Sequence, residues 1–160
     1  MKPVPPLLTF LLMIISGWVR ITWRPGVIFG IVLGLAAEAV QADVVVVVSA
    51  RNPVSTLSRY QVADIFLGRS SYFPDGNDAV AVDQSEGSAV RDEFYASFTG
   101  MLAAQLKVHW SKIIFTGRGQ PPKVVPNGAE VRKFVAAHPN AIGYIEKGKA
   151  DASVKILEVR

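Results

Sequence analysis

Val44–Val48 is an unbroken run of five valines. β-branched side chains favour extended backbone, and successive residues of a strand point to opposite faces. A run with no polar residue on either face reads as a strand covered on both sides, as in a layered α/β sheet. Downstream, helix-like and strand-like patterns alternate. Ser58 and Gln61 form a capping box for a helix over "RYQVADIFLG", with Gly68 as its stop. "SSYFPDGNDA" is a loop turning at Asp75-Gly76, and Val80–Val82 is a short strand. Val90, Phe94, Tyr95 and Phe98 mark the buried stripe of a second helix, ended by Gly100. Residues 101–115 pattern as a third helix, and 116–128 as a loop rich in Gly and Pro. A fourth helix over 129–138 is opened by Asn127 or Gly128 and stopped by Pro139. Residues 141–145 and 153–159 read as the last strands. This alternation argues one α/β domain over residues 43–160.

Residues 1–42 have a different character. Arg20 and Arg24 precede an apolar stretch of 11 residues, Val27–Ala37, and Val40 and Ala42 stand at the −3 and −1 positions of a small-residue cleavage site. Eleven residues fall short of the ~20 needed to span a bilayer. The pattern is that of an export signal, with a mature chain starting at Asp43. A second apolar stretch, Pro5–Val19, reads either as a first membrane span or as sequence ahead of a true start at Met13, which would make residues 1–12 an annotation artefact. An uncleaved segment would be a membrane anchor and the chain's one tie to the membrane. Both readings place the folded part in the periplasm or at the envelope.

Without residues 1–42 the chain carries 14 basic and 12 acidic residues, scattered rather than clustered. A nucleic-acid partner needs a dense basic face, so none is expected. The lack of cysteine excludes disulfides and thiolate metal sites. His109 and His138 are the only histidines, and neither has a metal-ligand spacing, so no metal or cofactor is expected. Trp110, Phe115 and Tyr144 are expected to be core aromatics.

The chemistry concentrates in "VDQSEGSAVRDEF", residues 82–94, at a strand-to-helix turn. A helix start exposes unpaired N–H groups and a partial positive charge, and so accepts oxyanions. Gly87 lets backbone approach closely, Ser85 and Ser88 carry hydroxyls, and Arg91 offers a charged fork. Asp83 or Glu86 would accept the proton that monohydrogen phosphate keeps and sulfate lacks, selecting the former. The competing reading is structural: Ser85 or Gly87 caps the helix, Asp83, Glu86, Asp92 and Glu93 complement its dipole, and Glu86 pairs with Arg91 at the surface. Ser49, Asn52 and Ser55 follow the first strand, where open α/β sheets hold ligands; they also suit a plain turn. "TGRGQPP", with Thr116, Gly117, Arg118 and Gly119, lacks the Lys-Ser/Thr of a nucleotide loop and reads as a proline-stiffened surface loop. Ser85, His109 and Asp83 have no nucleophile elbow to order them as a hydrolase, so no enzyme is expected.

"RNPVSTLSRYQVADIFLGR", "FPDGNDAVAVDQSEGSAVRDEF", "HWSKIIFTGRGQPP" and "NAIGYI" together resemble the short phosphate ABC transporter substrate-binding proteins, of the periplasmic binding protein type II superfamily. The resemblance runs from about Val44 to Ile145. It implies α/β lobes around a parallel-rich sheet, with ligand held at helix N-termini. Full members have two lobes that close on their ligand; this chain supplies essentially one. Their corresponding turn carries an Arg-x-Asp-x-Ser-Gly-Thr motif. Gly87 and Ser88 match its last two residues, Glu86 stands for its serine and Val82 for its arginine, while Asp83 takes the acid's place after a one-residue shift. The function implied is non-enzymatic binding of phosphate or a similar oxyanion for ABC-type import. The partners implied are a permease and, for so short a chain, a second lobe or a second copy. The alternative is a lobe without ligand that acts in protein–protein interaction at the envelope.

Overall fold

The computed structural model describes residues 43–160; the export signal, anchor and alternative start read in residues 1–42 lie outside the described residues. The elements run β1 (Val44–Ser49), β2 (Thr56–Leu57), α1 (Arg59–Phe66), β3 (Val80–Gln84), α2 (Ala89–Thr99), α3 (Ala103–Phe115), β4 (Lys123–Val125), α4 (Gly128–Ala137), β5 (Ala141–Glu146), β6 (Val154–Ile156) and β7 (Glu158–Val159). A single 3₁₀ turn, Lys147–Lys149, follows β5. Five strands form one sheet in the order β4-β3-β5-β1-β6, and β2 pairs with β7 in a small parallel ribbon. No helix among the described residues is long and apolar enough to cross a membrane.

The valine run is the covered strand its composition implies. Val46 and Val48 pack among Ile65, Phe66, Phe94 and Ile142 beneath α1 and α2, whereas Val47 faces Val131, Val135 and Ile145 beneath α4. Helices therefore cover both faces. Each such burial contributes about 1.5–3 kcal/mol. The parallel-rich expectation holds for β4, β3 and β5, but β1 runs antiparallel to β5 and to β6. A run of apolar residues specifies burial, not the direction of its neighbours.

Local signals place the helices. Ser58 Oγ accepts from the Gln61 amide at 3.2 Å, and Gln61 Oε1 accepts from the Ser58 amide at 2.8 Å, completing the capping box. Leu67 caps the helix end and Gly68 follows at φ 67°, a left-handed backbone that suits glycine. Gly143 lies where α4 crosses β5; a Cβ there would clash with Val131 Cγ1.

Four expectations need correction. Lys123–Val125, read as loop, is edge strand β4, held by pairing with β3 rather than by its own pattern. The strand read over 153–159 breaks at Leu157, and its end pairs with Thr56–Leu57, between the first strand and the first helix. β3 extends through Asp83 and Gln84, two residues past its expected end. Phe115 is 92% exposed, not core, because α3 buries only Leu106 and Trp110 fully.

Candidate functional site

β3 enters the 85–88 turn with its side chains alternating between faces. Asp83 points under α2, and Val82 belongs to the α4 side. Asp83 is 2% exposed. A buried carboxylate is tolerated only when paired and hydrogen-bonded, and Asp83 is both. Its Oδ1 accepts from the Gln84 amide at 2.8 Å and from the Tyr144 hydroxyl. Its Oδ2 accepts from Arg91 Nε at 3.0 Å and from the Tyr95 hydroxyl at 3.1 Å. Four donors meet roughly four lone-pair sites, so the carboxylate has nothing left for a ligand's proton.

The surroundings fix that state. Burial first, then the Asp83 charge, push both the Tyr95 and Tyr144 phenols well above their usual range, so they remain donors. Burial pulls the Arg91 guanidinium down, but the Asp83 charge and hydrogen bond outweigh it and the net shift is upward. Phe94 stacks on Tyr144 with centroids 4.0 Å apart, holding the ring in place. The surface pair read between Glu86 and Arg91 is thus replaced by a buried pair between Asp83 and Arg91.

Gln84 faces the other way. It lines a crevice of about 200 Å³ with Ser88, Val90, Asn127, Gly128, Glu146 and Lys149. This crevice lies at the C-terminal ends of β3, β4 and β5, which run parallel, with α2 and α4 on opposite faces of the sheet. Open α/β sheets hold ligands at such a position. The two helix starts differ. Asn127 Oδ1 accepts from the Ala129 and Glu130 amides at 3.0 and 3.1 Å, so α4 is closed by its own cap. Ser88, rather than Ser85 or Gly87, caps α2, accepting only from the Arg91 amide at 3.4 Å. The Ala89 and Val90 amides have no acceptor among the described residues, nor do those of Glu86 and Gly87. Gly87 sits at φ 85° with open space where a Cβ would be.

The candidate residues therefore separate. Gly87 and Ser88 stand at the open helix start, where Ser88 Oγ donates to Gln84 Oε1 at 3.1 Å. Ser85 Oγ donates to the Val125 carbonyl at 3.4 Å. Glu86 and Arg91 line a different cavity, towards α3. Ser49 and Asn52 lie at the opposite end of the sheet: β1 ends level with the start of β5, while Gln84 lies level with the end of β5. Four residues of strand put about 13 Å between them. There Asn52 Nδ2 donates to the Pro139 carbonyl at 2.7 Å, its Oδ1 accepts from the Val54 amide at 2.8 Å, and Ser49 is buried. His109 Nε2 lies 2.9 Å from the Leu67 carbonyl, and Asp83 bonds elsewhere, so Ser85, His109 and Asp83 form no triad. Sequence reasoning missed Gln84, Tyr95 and Glu146. Continuing the period-two alternation of β3 by two residues would have found the first.

No protein-family model and no curated protein matches the sequence. Solved structures do. A protein from Clostridium perfringens, described as a phosphate ABC transporter substrate-binding protein and solved with phosphate bound, matches 73% of this chain and 44% of its own, at 24% identity and TM-score 0.58. An ABC-type phosphate transport receptor from Vibrio cholerae matches 73% of this chain and 46% of its own, at 23% identity and TM-score 0.58. PstS from Borrelia burgdorferi matches 74% and 47%, at 15% identity and TM-score 0.58. The chain has the fold of part of these proteins and spans less than half their length.

Proposed function

We propose that the chain is an exported, non-enzymatic binding module for phosphate or a similar tetrahedral oxyanion, working with an ABC-type importer. The observation that carries this reading is the unspent first turn of α2, whose Ala89 and Val90 amides have no acceptor among the described residues and whose Ser88 and Val90 line a crevice with Gln84 and Lys149. Helix starts of this kind stabilise anions through partial positive charge and free N–H groups. The solved structures of like fold, described as phosphate transport and binding proteins, support the ligand class. The apolar stretch Val27–Ala37, preceded by Arg20 and Arg24, supports export.

Within this reading the anion rests on the backbone of Gly87–Val90. Gln84 Nε2 donates one N–H to the Tyr144 carbonyl at 3.2 Å and offers its second to the anion, and Lys149 supplies charge. Glu146, which pairs with Lys149 and lines the crevice, takes the proton-accepting role first read for Asp83 or Glu86. A second lobe or a second copy closes the crevice from outside. Calorimetry of the purified protein with phosphate, arsenate and sulfate tests this. Micromolar phosphate and arsenate binding, weakened in Ser88→Ala, is the expected result. No heat with any oxyanion would instead favour the ligand-free interaction lobe, a reading that the exposed Leu102, Val108, Ile114 and Phe115 of α3 and its start also suit.

A further inference from the structure

We propose that the cavity between the start of α2 and α3 is a second site, for a small monocarboxylate with an apolar body, seated on Arg91. The cavity measures about 250 Å³, and its walls include Leu106, Trp110, Ile114 and Pro121. Arg91 forms its polar end. Two contacts fix the guanidinium of this side chain, which is only 13% exposed: Nε donates to Asp83 at 3.0 Å, and Cζ lies 5.2 Å from the centroid of the Tyr95 ring. A guanidinium has five N–H groups in a planar fork. One is spent on Asp83, and the other four have no acceptor among the described residues. The one fully buried side-chain N or O atom without a partner among the described residues is Trp110 Nε1, so the Arg91 amino groups keep some exposure, and Arg91 lines the cavity.

Charge decides the class of ligand. Asp83 already neutralises Arg91. Lys107 and Glu86, at the same cavity, carry opposite charges and neither is paired among the described residues. Ser111 Oγ spends its proton on the Lys107 carbonyl at 2.8 Å. The cavity is neutral overall, so the ligand's desolvation must be offset by hydrogen bonds and apolar burial; that cost scales with the square of the charge and weighs far more on a dianion such as phosphate than on a monoanion. A monoanion gains the pre-set fork, which matches a carboxylate in two parallel bonds, and buries its apolar part on the indole and aliphatic walls. The volume suits a body the size of one benzene ring.

Phenylacetate is the test ligand, titrated into the full protein and followed by the Arg91 Nε–H and Trp110 indole N–H resonances. Saturable shifts of both are expected, with no response to neutral phenylacetamide or to inorganic phosphate. Lys107→Glu, which leaves the Asp83 pair intact, should weaken phenylacetate about tenfold, and Glu86→Gln should tighten it about two- to threefold, as expected for charges at a partly exposed rim. Arg91→Lys should abolish the response while keeping the fold. Equal binding of phenylacetamide, indifference to Lys107→Glu, or no saturable shift would overturn the proposal. The oxyanion site is read separately on the Ala89 and Val90 amides, so either assignment can fail alone.

Discussion

The two ends of the central sheet carry similar residues and use them in opposite ways. At the end where β1 finishes, Asn52 spends both side-chain atoms, Arg51 donates to the Ala136 and Ala137 carbonyls at the end of α4, and Lys155 donates to the Asn52 carbonyl at 2.7 Å. That polarity is consumed in tying loop to helix. At the end where β3 finishes, Asp83, Tyr95 and Tyr144 beneath the turn are consumed just as fully, but the α2 amides above it are not. Residue type near a strand end thus says little about ligand binding; what matters is which donors remain unspent after the fold has satisfied itself.

The largest expected break in this contrast is Asp83→Ala. It leaves Arg91 charged and buried, with Tyr95 and Tyr144 unpaired, and should cost about 3–5 kcal/mol in urea unfolding. It should also abolish phosphate binding, because the turn loses its footing. Tyr144→Phe removes one hydrogen bond to a charged group and should cost about 1.5–3 kcal/mol. The same phenols set an alkaline limit. Their folded pKa values lie above the unfolded value near 10, so the stability they contribute is complete below about pH 10 and falls as pH rises further, by up to about 1.4 kcal/mol per pH unit for each. Tyr144→Phe should halve that slope.

Asn52→Ala sharpens the contrast from the other end. It should cost about 1–2 kcal/mol of stability, through a lost turn and an unpaired Pro139 carbonyl, and leave phosphate affinity unchanged. Equal loss of phosphate affinity there would reject the division between the two ends. Ala89→Pro should change stability least, within about 0.5 kcal/mol. Proline is favoured at the first helical position, and Ser88 already has the extended backbone a following proline requires. The change deletes one free amide, and phosphate binding should weaken about tenfold.

The fold was legible where a pattern and its burial coincide: the valines of β1, the Ser58–Gln61 box, and the stripe of Phe94 and Tyr95. It was illegible where pairing with a distant strand supplies the reason, as for Lys123–Val125 and Thr56–Leu57. The 85–88 turn was readable as the open end of a helix from its serines and glycine. The fate of Asp83 was not, because Tyr144, which fills it, lies 61 residues away in sequence. Arg91 sits beside the turn in sequence yet serves the opposite face, because it shares a helix face with Tyr95, four residues on.

Amide chemical shifts of the ¹⁵N-labelled protein during a phosphate titration bear most directly on the claim that the α2 start is an open anion seat. Saturable downfield shifts confined to Gly87–Val90 and the Gln84 side chain, with Asn52 silent, are predicted. Silence at Ala89 and Val90 while phosphate binds elsewhere, or no response at all, would contradict the account.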